Sequence, residues 1–409
     1  MQTRNRRFLW LLLTSITLLL AGCLTPQAAP TPTPEAPAPP TATPEPGLVC
    51  PPPATPGPSQ TPTITPTPGP TPTPTTTSTP GPSPTSRVFE PAPSCGGWDE
   101  NGHILYISGK IRTELNYASH YDLYIMNGNG CYPRLMLTGV SGSPAWSADG
   151  KKIAIGCENN SMLCLLDAEA VLRSCAPDQP GTDPCVAPGA ILSRIALPEE
   201  ATGNNFLVNI GWSPDGASIF IEIEGDYSPE ITRYYYGFIL DLAQPTQWTL
   251  FRKEEWACEF EWSPTDSNIL SCGAYVFNLE DGALEQFMDY GVSSIWSPDA
   301  EQMAILYYLW DKDKEPVGIA RVDRDTGKWD WIYEPVNWDA NDRLLYNIDI
   351  KQNYHYRIMD WSPDGRYIAF VNQYRNMWGS YIFRIDVATK EIYVLTTQTK
   401  INYAPAWGP

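Results

Sequence analysis

Histidine is scarce in this 409-residue sequence, and basic residues are outnumbered by acidic ones. There are three histidines, His103, His120 and His355, and 27 Lys and Arg against 46 Asp and Glu. So few histidines make a Ser-His-Asp triad hard to build, and none lies at zinc-ligand spacing from a cysteine. The sequence also lacks the G-x-S-x-G elbow of serine hydrolases. We therefore predict no catalytic residues, no metal and no cofactor.

The charge imbalance is concentrated in residues 93–409, which carry 23 Lys and Arg against 43 Asp and Glu. Nucleic-acid binding needs clustered basic residues, so we predict no nucleic-acid partner. An acidic surface is also repelled by anionic lipid headgroups. The alternative is that the negative charge only keeps an exported protein soluble.

No apolar run is long enough to span a bilayer stably. Arg4, Arg6 and Arg7 precede a short apolar run from Phe8 to Leu20, which is the pattern of a signal peptide. The sequence Leu20-Ala21-Gly22-Cys23 then resembles the lipobox of bacterial lipoproteins. The resemblance implies lipid attachment at Cys23, with residues 1–22 as the cleaved signal peptide. It implies a membrane-anchored lipoprotein outside the cytoplasm, at the cell surface or in the periplasm. An ordinary secretory signal and an uncleaved membrane helix are the alternatives.

Residues 23–92 are dominated by proline and threonine. Of the 42 prolines, 25 lie between Leu24 and Pro93. Such a segment cannot bury apolar surface, so we predict a disordered linker that favours extended polyproline II geometry. It is either a stalk that lifts a folded domain off the membrane or a linker without a length requirement.

A short motif recurs through residues 93–409. Its fullest form is Trp-Ser-Pro-Asp-Gly, and a strand-like alternating segment follows each complete copy. Ser and Pro favour opening a turn, and Asp-Gly favours closing it. Each copy therefore predicts a β-hairpin. The motif tryptophans are Trp146, Trp212, Trp262, Trp296, Trp361 and Trp407.

This motif with its following strand resembles the TolB-like, WD-related β-propeller repeat. The resemblance covers nearly all of residues 98–409 and implies an all-β propeller. The copy at Trp407 has no strand after it, and the first strand, from His103 to Ser108, has no motif before it. Pairing the C-terminal strand with the N-terminal blade would close a ring of six blades without free edges. A degenerate seventh blade around residues 336–350 is the alternative.

Ten cysteines in an exported protein favour disulfides. Cys23 is assigned to lipid, and Cys50 lies alone in the linker. The other eight are placed around predicted turns and insertions so that they pair locally. The expected disulfides are Cys95–Cys131, Cys157–Cys164, Cys175–Cys185 and Cys258–Cys272.

Aromatic residues crowd the region after residue 306. Consecutive residues of a strand point to opposite faces, so some of these rings must lie outside the core of one blade. They either pack between blades or form a surface for stacking on a sugar or a peptide. The candidates are Tyr307, Tyr308, Trp310, Trp329, Trp331 and Trp338.

Together these features predict a lipid-anchored binding or scaffolding module of the cell envelope. The family resemblance implies protein–protein contact through a propeller face or its central funnel. A glycan-binding module that uses the aromatic residues is the alternative. A hydrolase or lyase with an unrecognised carboxylate site is the third hypothesis.

The lipid anchor makes a direct prediction. Replacing Cys23→Ala removes the only sulfur at the lipobox, so the protein should be released from membranes or should retain its signal peptide. Membrane fractionation and the mass of the purified chain measure both outcomes. A variant that stays membrane-bound at the mature mass would contradict the anchor.

Overall fold

The computed structural model describes residues 90–91, 94–109, 121–179, 183–201, 205–225, 234–254, 259–288, 291, 293–308, 317–333, 357–372, 380–396 and 400–409. The predicted signal peptide, Cys23 and nearly all of the predicted linker lie outside these residues. No helix within these ranges is long and apolar enough to cross a membrane.

The described residues form twenty-four strands and one α-helix. In chain order the strands are β1 (Glu90–Pro91), β2 (His103–Gly109), β3 (Tyr121–Asn127), β4 (Arg134–Trp146), β5 (Lys152–Cys157), β6 (Met162–Asp167), β7 (Ile191–Ala196), β8 (Phe206–Trp212), β9 (Ser218–Glu224), β10 (Tyr235–Asp241), β11 (Trp248–Glu254), β12 (Phe260–Trp262), β13 (Ile269–Cys272), β14 (Tyr275–Asn278), β15 (Leu284–Gln286), β16 (Ser293–Trp296), β17 (Gln302–Tyr308), β18 (Val317–Asp323), β19 (Trp329–Tyr333), β20 (Met359–Trp361), β21 (Tyr367–Asn372), β22 (Tyr381–Asp386), β23 (Ile392–Val394) and β24 (Ile401–Gly408).

Consecutive strands pair in antiparallel sheets. Four sheets run in chain order, as β8–β11, β12–β15, β16–β19 and β20–β23, and β1 adds to the last of these by pairing in parallel with β23. A four-stranded antiparallel meander is the unit of a β-propeller. The predicted all-β propeller architecture is therefore confirmed. The strands predicted behind the first five motifs are present as β5, β9, β13, β17 and β21.

The remaining strands form one sheet in the order β24-β2-β3-β4-β5-β6-β7. The long strand β4 changes partner along its length, because residues 134–140 pair with β3 and residues 141–146 pair with β5. Gly139 and Gly142 have φ angles of 66° and 72° near this change. This left-handed backbone is accessible to glycine at little cost. Two four-stranded units therefore share β4.

The first strand of each unit contacts the first strand of the next. β24 contacts β4, β4 contacts β8, and β8 contacts β12. β12 contacts β16, β16 contacts β20, and β20 contacts β24, which closes the ring. We call these six strands the inner ring. Every motif tryptophan lies at or next to the end of one of them.

The two ends of the described domain meet in one sheet. β24 pairs with β2 in antiparallel fashion, with His103 opposite Gly408 and Gly109 opposite Ile401. The Trp407 indole donates to the Asn101 carbonyl at 2.7 Å, and His103 Nδ1 is 2.8 Å from the Pro409 carbonyl oxygen. The predicted pairing of the C-terminal strand with the first strands is therefore present.

The motif turns are held by their own serine and aspartate. In the first copy, the Ser147 hydroxyl donates to Asp149 at 2.7 Å and accepts from the backbone N–H of Lys152 at 2.9 Å. Gly150 ends the turn with φ of 67°, which glycine adopts without strain. The copies at Ser213, Ser297 and Ser362 repeat the Ser–Asp hydrogen bond.

Three motif tryptophans connect neighbouring strands of the inner ring. The indole of Trp146 donates to the Ala406 carbonyl, that of Trp212 to Ala145, and that of Trp296 to Glu261. Each acceptor is the residue before the motif tryptophan of the preceding inner strand. The other three depart from this rule: Trp262 donates to Ser267 within its own turn, Trp407 donates to Asn101, and the Trp361 nitrogen has no partner.

The structure contains one helix that the sequence analysis did not predict. Helix α1 (Ala168–Cys175) lies between β6 and β7, and the Asp167 carboxylate caps it by accepting from the Ala170 N–H at 2.9 Å. Val171 and Cys175 are buried in the core beneath it. Its buried positions Ala168, Val171 and Cys175 follow helical spacing, but the helix is a single short insertion outside the repeated motif, on which the sequence analysis was based.

Three of the four expected disulfides are present, as Cys95–Cys131, Cys157–Cys164 and Cys175–Cys185. Cys272 is also disulfide-bonded. Its expected partner, Cys258, lies outside the described residues. The bridges join local hairpins and the α1 insertion, as the spacing predicted.

The tryptophan contacts can be tested by a matched pair of substitutions. Trp212 and Trp361 are 7% and 5% exposed, but only the Trp212 indole has a hydrogen bond. Trp212→Phe should therefore cost about 1–2 kcal/mol more free energy of unfolding than Trp361→Phe, because it also removes a buried bond. Urea titrations measure this difference. Equal losses would contradict a stabilising role for the indole contact.

Candidate functional site

A group of buried and half-buried polar side chains lies where the inner-ring strands converge. We call Ser143, Glu259, Glu261, Ser293, Arg357 and Asp360 the axial cluster. Ser143 and Ser293 are on β4 and β16, Glu261 is on β12, and Asp360 is on β20. Glu259 directly precedes β12, and Arg357 lies two residues before β20. None of these residues was a predicted site residue.

Arg357 connects strands that are not neighbours in the inner ring. Its guanidinium Nη2 is 2.6 Å from Glu261 Oε2, on β12. Its backbone N–H donates at 2.8 Å to the Ser143 hydroxyl, on β4, which in turn donates to the Val208 carbonyl. In the ring, β20 has β16 and β24 as neighbours, so these bonds cross its centre. Arg357 therefore connects β4 and β12 across the centre of the inner ring.

Asp360 joins the cluster to the ring closure. Its Oδ2 atom accepts from the backbone N–H of Trp407 at 2.7 Å and lies 3.6 Å from Arg357 Nη1. Its Oδ1 atom accepts from the Trp361 N–H at 3.0 Å. Burial raises the pKa of Asp360, while Arg357 and the two backbone donors oppose the rise. The carboxylate thus links β20 to the final strand of the chain.

The surroundings of Glu259 and Glu261 disfavour the ionised form of both carboxyl groups. Burial raises the pKa of Glu259 to about 8, and the nearby charge of Glu222 adds to the rise while the Ser293 hydroxyl opposes it. The Glu259 Oε2 atom is buried and has no hydrogen-bond partner. Burial also raises the pKa of Glu261 to about 7, against the opposing effect of Arg357.

Arg357 carries the balancing positive charge. Burial alone would lower its pKa, but Glu261, Asp360 and Glu259 raise it overall. The cluster can therefore hold protons on its carboxyl groups near neutral pH and release them to solvent when a cationic group approaches. Shifted pKa values of this kind occur both at functional sites and in structural ion-pair networks.

A signal for this cluster was present in the motif itself. The residue before the motif tryptophan is Ala145, Gly211, Ile295 or Ala406 in four copies but Glu261 or Asp360 in the other two. The other copies have a small or apolar residue at this position, so the acidic residue in these two copies distinguishes Glu261 and Asp360 from the rest. Arg357 and Glu259 lie outside the motif, so the repeat gave no signal for them.

Three of the six predicted stacking residues lie together. The Tyr307 and Trp329 rings are stacked at 6.0 Å between centroids, and the Trp331 ring is edge-on to both, at 5.5 Å from Tyr307 and 5.3 Å from Trp329. Trp331 and Tyr307 pack on the core, while Trp329 is 48% exposed. Trp310 and Trp338 lie outside the described residues, and of Tyr308 only the backbone is described.

Within the described residues, no group of three or more His, Cys, Asp and Glu side chains has the arrangement of a metal site. His103 is buried, and its pKa is lowered by that burial despite the Pro409 carbonyl and Asp99. His120 and His355 lie outside the described residues.

The comparisons with known proteins identify the fold. No family model matches the chain, and no curated protein is similar to it in sequence. TolB from Acinetobacter baumannii superposes with a TM-score of 0.51 at 16% identity, over 75% of this chain and 67% of that chain. A putative TolB from Agrobacterium tumefaciens gives 0.41 at 15% identity, over 75% and 99%. An oligogalacturonate lyase in complex with manganese gives 0.43 at 10% identity, over 76% and 83%.

The raised pKa of Glu259 predicts how stability depends on pH. A group whose folded pKa lies above its unfolded value stabilises the fold at low pH, and this contribution is lost as pH rises. For Glu259 the loss runs from its ordinary pKa of 4.5 to about 8. Glu259→Gln stays neutral, so it should raise the melting temperature at pH 8 and change it little below pH 4.5.

Thermal melts between pH 4 and pH 9 make the measurement. Glu285→Gln is the matched control, because Glu285 is exposed on the outer strand β15, and its curve should run parallel to that of the wild type. A Glu259→Gln curve parallel to the wild type would show that folding does not raise the pKa of Glu259.

Proposed function

We propose that this TolB-like β-propeller is a lipid-anchored module outside the cytoplasm that binds another protein of the cell envelope. The lipobox at Cys23 supports the anchor. The three disulfides support an oxidising compartment. The fold supports a binding role, although propellers host many functions and the site must carry the argument.

We further propose that the propeller has six blades. The closed contacts of the inner ring support this number, with β4 serving as the outer strand of the first blade and the inner strand of the second. The segment 336–350, on which a seventh blade would depend, lies outside the described residues.

The axial cluster is the observation that carries the binding proposal. It places Glu259, Glu261 and Asp360 around a single arginine at the centre of an acidic domain. The side chains of Glu261 and Asp360 are 22% and 16% exposed, so the cluster is not sealed from solvent. A lysine or arginine from a partner would favour the ionised carboxylates and be attracted by the surrounding charge. The partner surface is therefore expected to be basic.

The same contacts support a binding role over a catalytic one. Glu261 is engaged by Arg357, and both oxygens of Asp360 accept backbone N–H groups. Carboxylates held in this way maintain the inner ring and are poorly placed to act as a nucleophile or a general base. The proposal includes no cofactor and no nucleic-acid partner.

Zero-length carboxyl-to-amine crosslinking in intact host cells tests this function. The full chain should be crosslinked through Glu261 or Asp360 to lysines of an envelope protein, as mapped by mass spectrometry. Glu261→Gln should reduce the yield of the crosslinked partner severalfold, whereas the exposed control Glu285→Gln should leave it unchanged. Melting curves show whether each variant is folded. Equal capture by folded Glu261→Gln and by the wild type, with no crosslink at Asp360, would contradict binding at the axial cluster.

A further inference from the structure

An aromatic surface with one exposed and two half-buried rings spans β17 and β19 of the sheet β16–β19. Tyr307, Trp329 and Trp331 form it, and we call them the aromatic platform. β19 is the last strand of its sheet, and on β18 the platform is backed by Gly318, opposite Tyr307, and Ala320, opposite Trp331. A stacked Tyr–Trp pair with a half-exposed indole is the kind of groove in which proline rings pack.

The chain supplies a proline-rich segment that arrives nearby. Glu90 and Pro91 pair in parallel with Tyr393 and Val394 of β23, on the outer edge of the next sheet. Because the strands are parallel, Glu90 is the residue of β1 that lies nearer the Lys390 end of β23. Lys390 contacts β19 directly, since its ammonium donates to the Trp331 carbonyl at 2.7 Å and lies 4.0 Å from Asp330. A chain that continued this pairing back from Glu90 would run towards β19, which carries Trp329 and Trp331.

The spacing of the prolines fits this path. Glu90 lies opposite Tyr393, three residues along the strand from Lys390, and the Lys390 side chain extends to the Trp331 carbonyl. These steps together give a distance on the order of 20 Å between Glu90 and the Trp331 backbone. A polyproline II segment covers that distance in about six or seven residues. Six residues before Glu90 is Pro84, and Pro82 and Pro80 lie two and four residues further back.

We propose that residues 80–89 dock on the aromatic platform, with the rings of Pro80, Pro82 and Pro84 packed against Trp329 and Tyr307. The rings lie on the face of this sheet that packs against β12–β15, whereas β1 lies on the sheet that covers the opposite face, so the segment would reach the rings by crossing the outer edge of β19. Docking there extends the contact begun by β1 and fixes the direction in which the linker leaves the propeller. The occupant is part of the same chain and is preordered by its prolines, so little entropy is lost on binding. This inference is independent of the axial cluster and of the proposed partner.

Trypsin provides a specific probe on the full chain in detergent. Arg87 is the only Lys or Arg between residues 8 and 109, so cleavage in this region gives one new N-terminus at Val88. Docking should protect this bond, because proteolysis follows the population of the open state. Trp329→Ala should raise the cleavage rate roughly fivefold to tenfold, the factor expected for loss of one aromatic contact. The triple variant Pro80→Ala, Pro82→Ala, Pro84→Ala should give a similar increase.

Leu250→Ala is the matched control, because Leu250 is 47% exposed on β11, the outer strand of another sheet. It should leave the rate unchanged. Equal rates for the wild type and Trp329→Ala would overturn the proposal and leave the platform to an external ligand such as a glycan. An increase with Trp329→Ala but not with the proline variant would also overturn it, as would an equal increase with Leu250→Ala.

Discussion

The rest of the propeller depends on the pairing of β24 with β2. Without β24, β2 would be an unpaired edge of the first blade, and the strand that pairs with it comes from the opposite end of the domain. The Asp360 carboxylate holds the backbone of Trp407, and the indole of Trp146 holds the carbonyl of Ala406. The final strand is thus bonded both to β2 and to the inner strands on either side of it. Closure positions Asp360, and through Asp360 it positions Arg357.

Closure of the ring also explains why the axial cluster is retained at the centre although burying its charges is unfavourable. Burying Arg357 with several carboxyl groups costs desolvation free energy that the ion pairs offset only in part. The cluster bonds β20 to β4, β12 and β24, which a purely apolar centre could not do with the same directionality. Its raised carboxyl pKa values are the electrostatic consequence. We infer that the same charges serve the architecture and recognise a cationic partner.

Much of the architecture could be predicted from the sequence because it is repeated. The Ser-Pro-Asp-Gly turns, the strand after each turn and the closing role of Trp407 follow from local chemistry and from counting copies. The disulfides followed from cysteines placed around turns. The axial cluster could not be predicted in the same way. The bond from Arg357 to Ser143 joins residues 214 positions apart, and only the closed ring brings them together. Helix α1 was missed because a single short insertion has no repeat to reveal it.

Removal of the final strand tests the closed ring most directly. Deleting residues 401–409 takes away the partner of β2, the donor to Asp360 and the acceptor of the Trp146 indole. We expect the truncated protein to lose its cooperative melting transition or to aggregate, and a synthetic peptide of residues 400–409 to restore the transition. A melting curve unchanged by the deletion would contradict closure of the ring by β24.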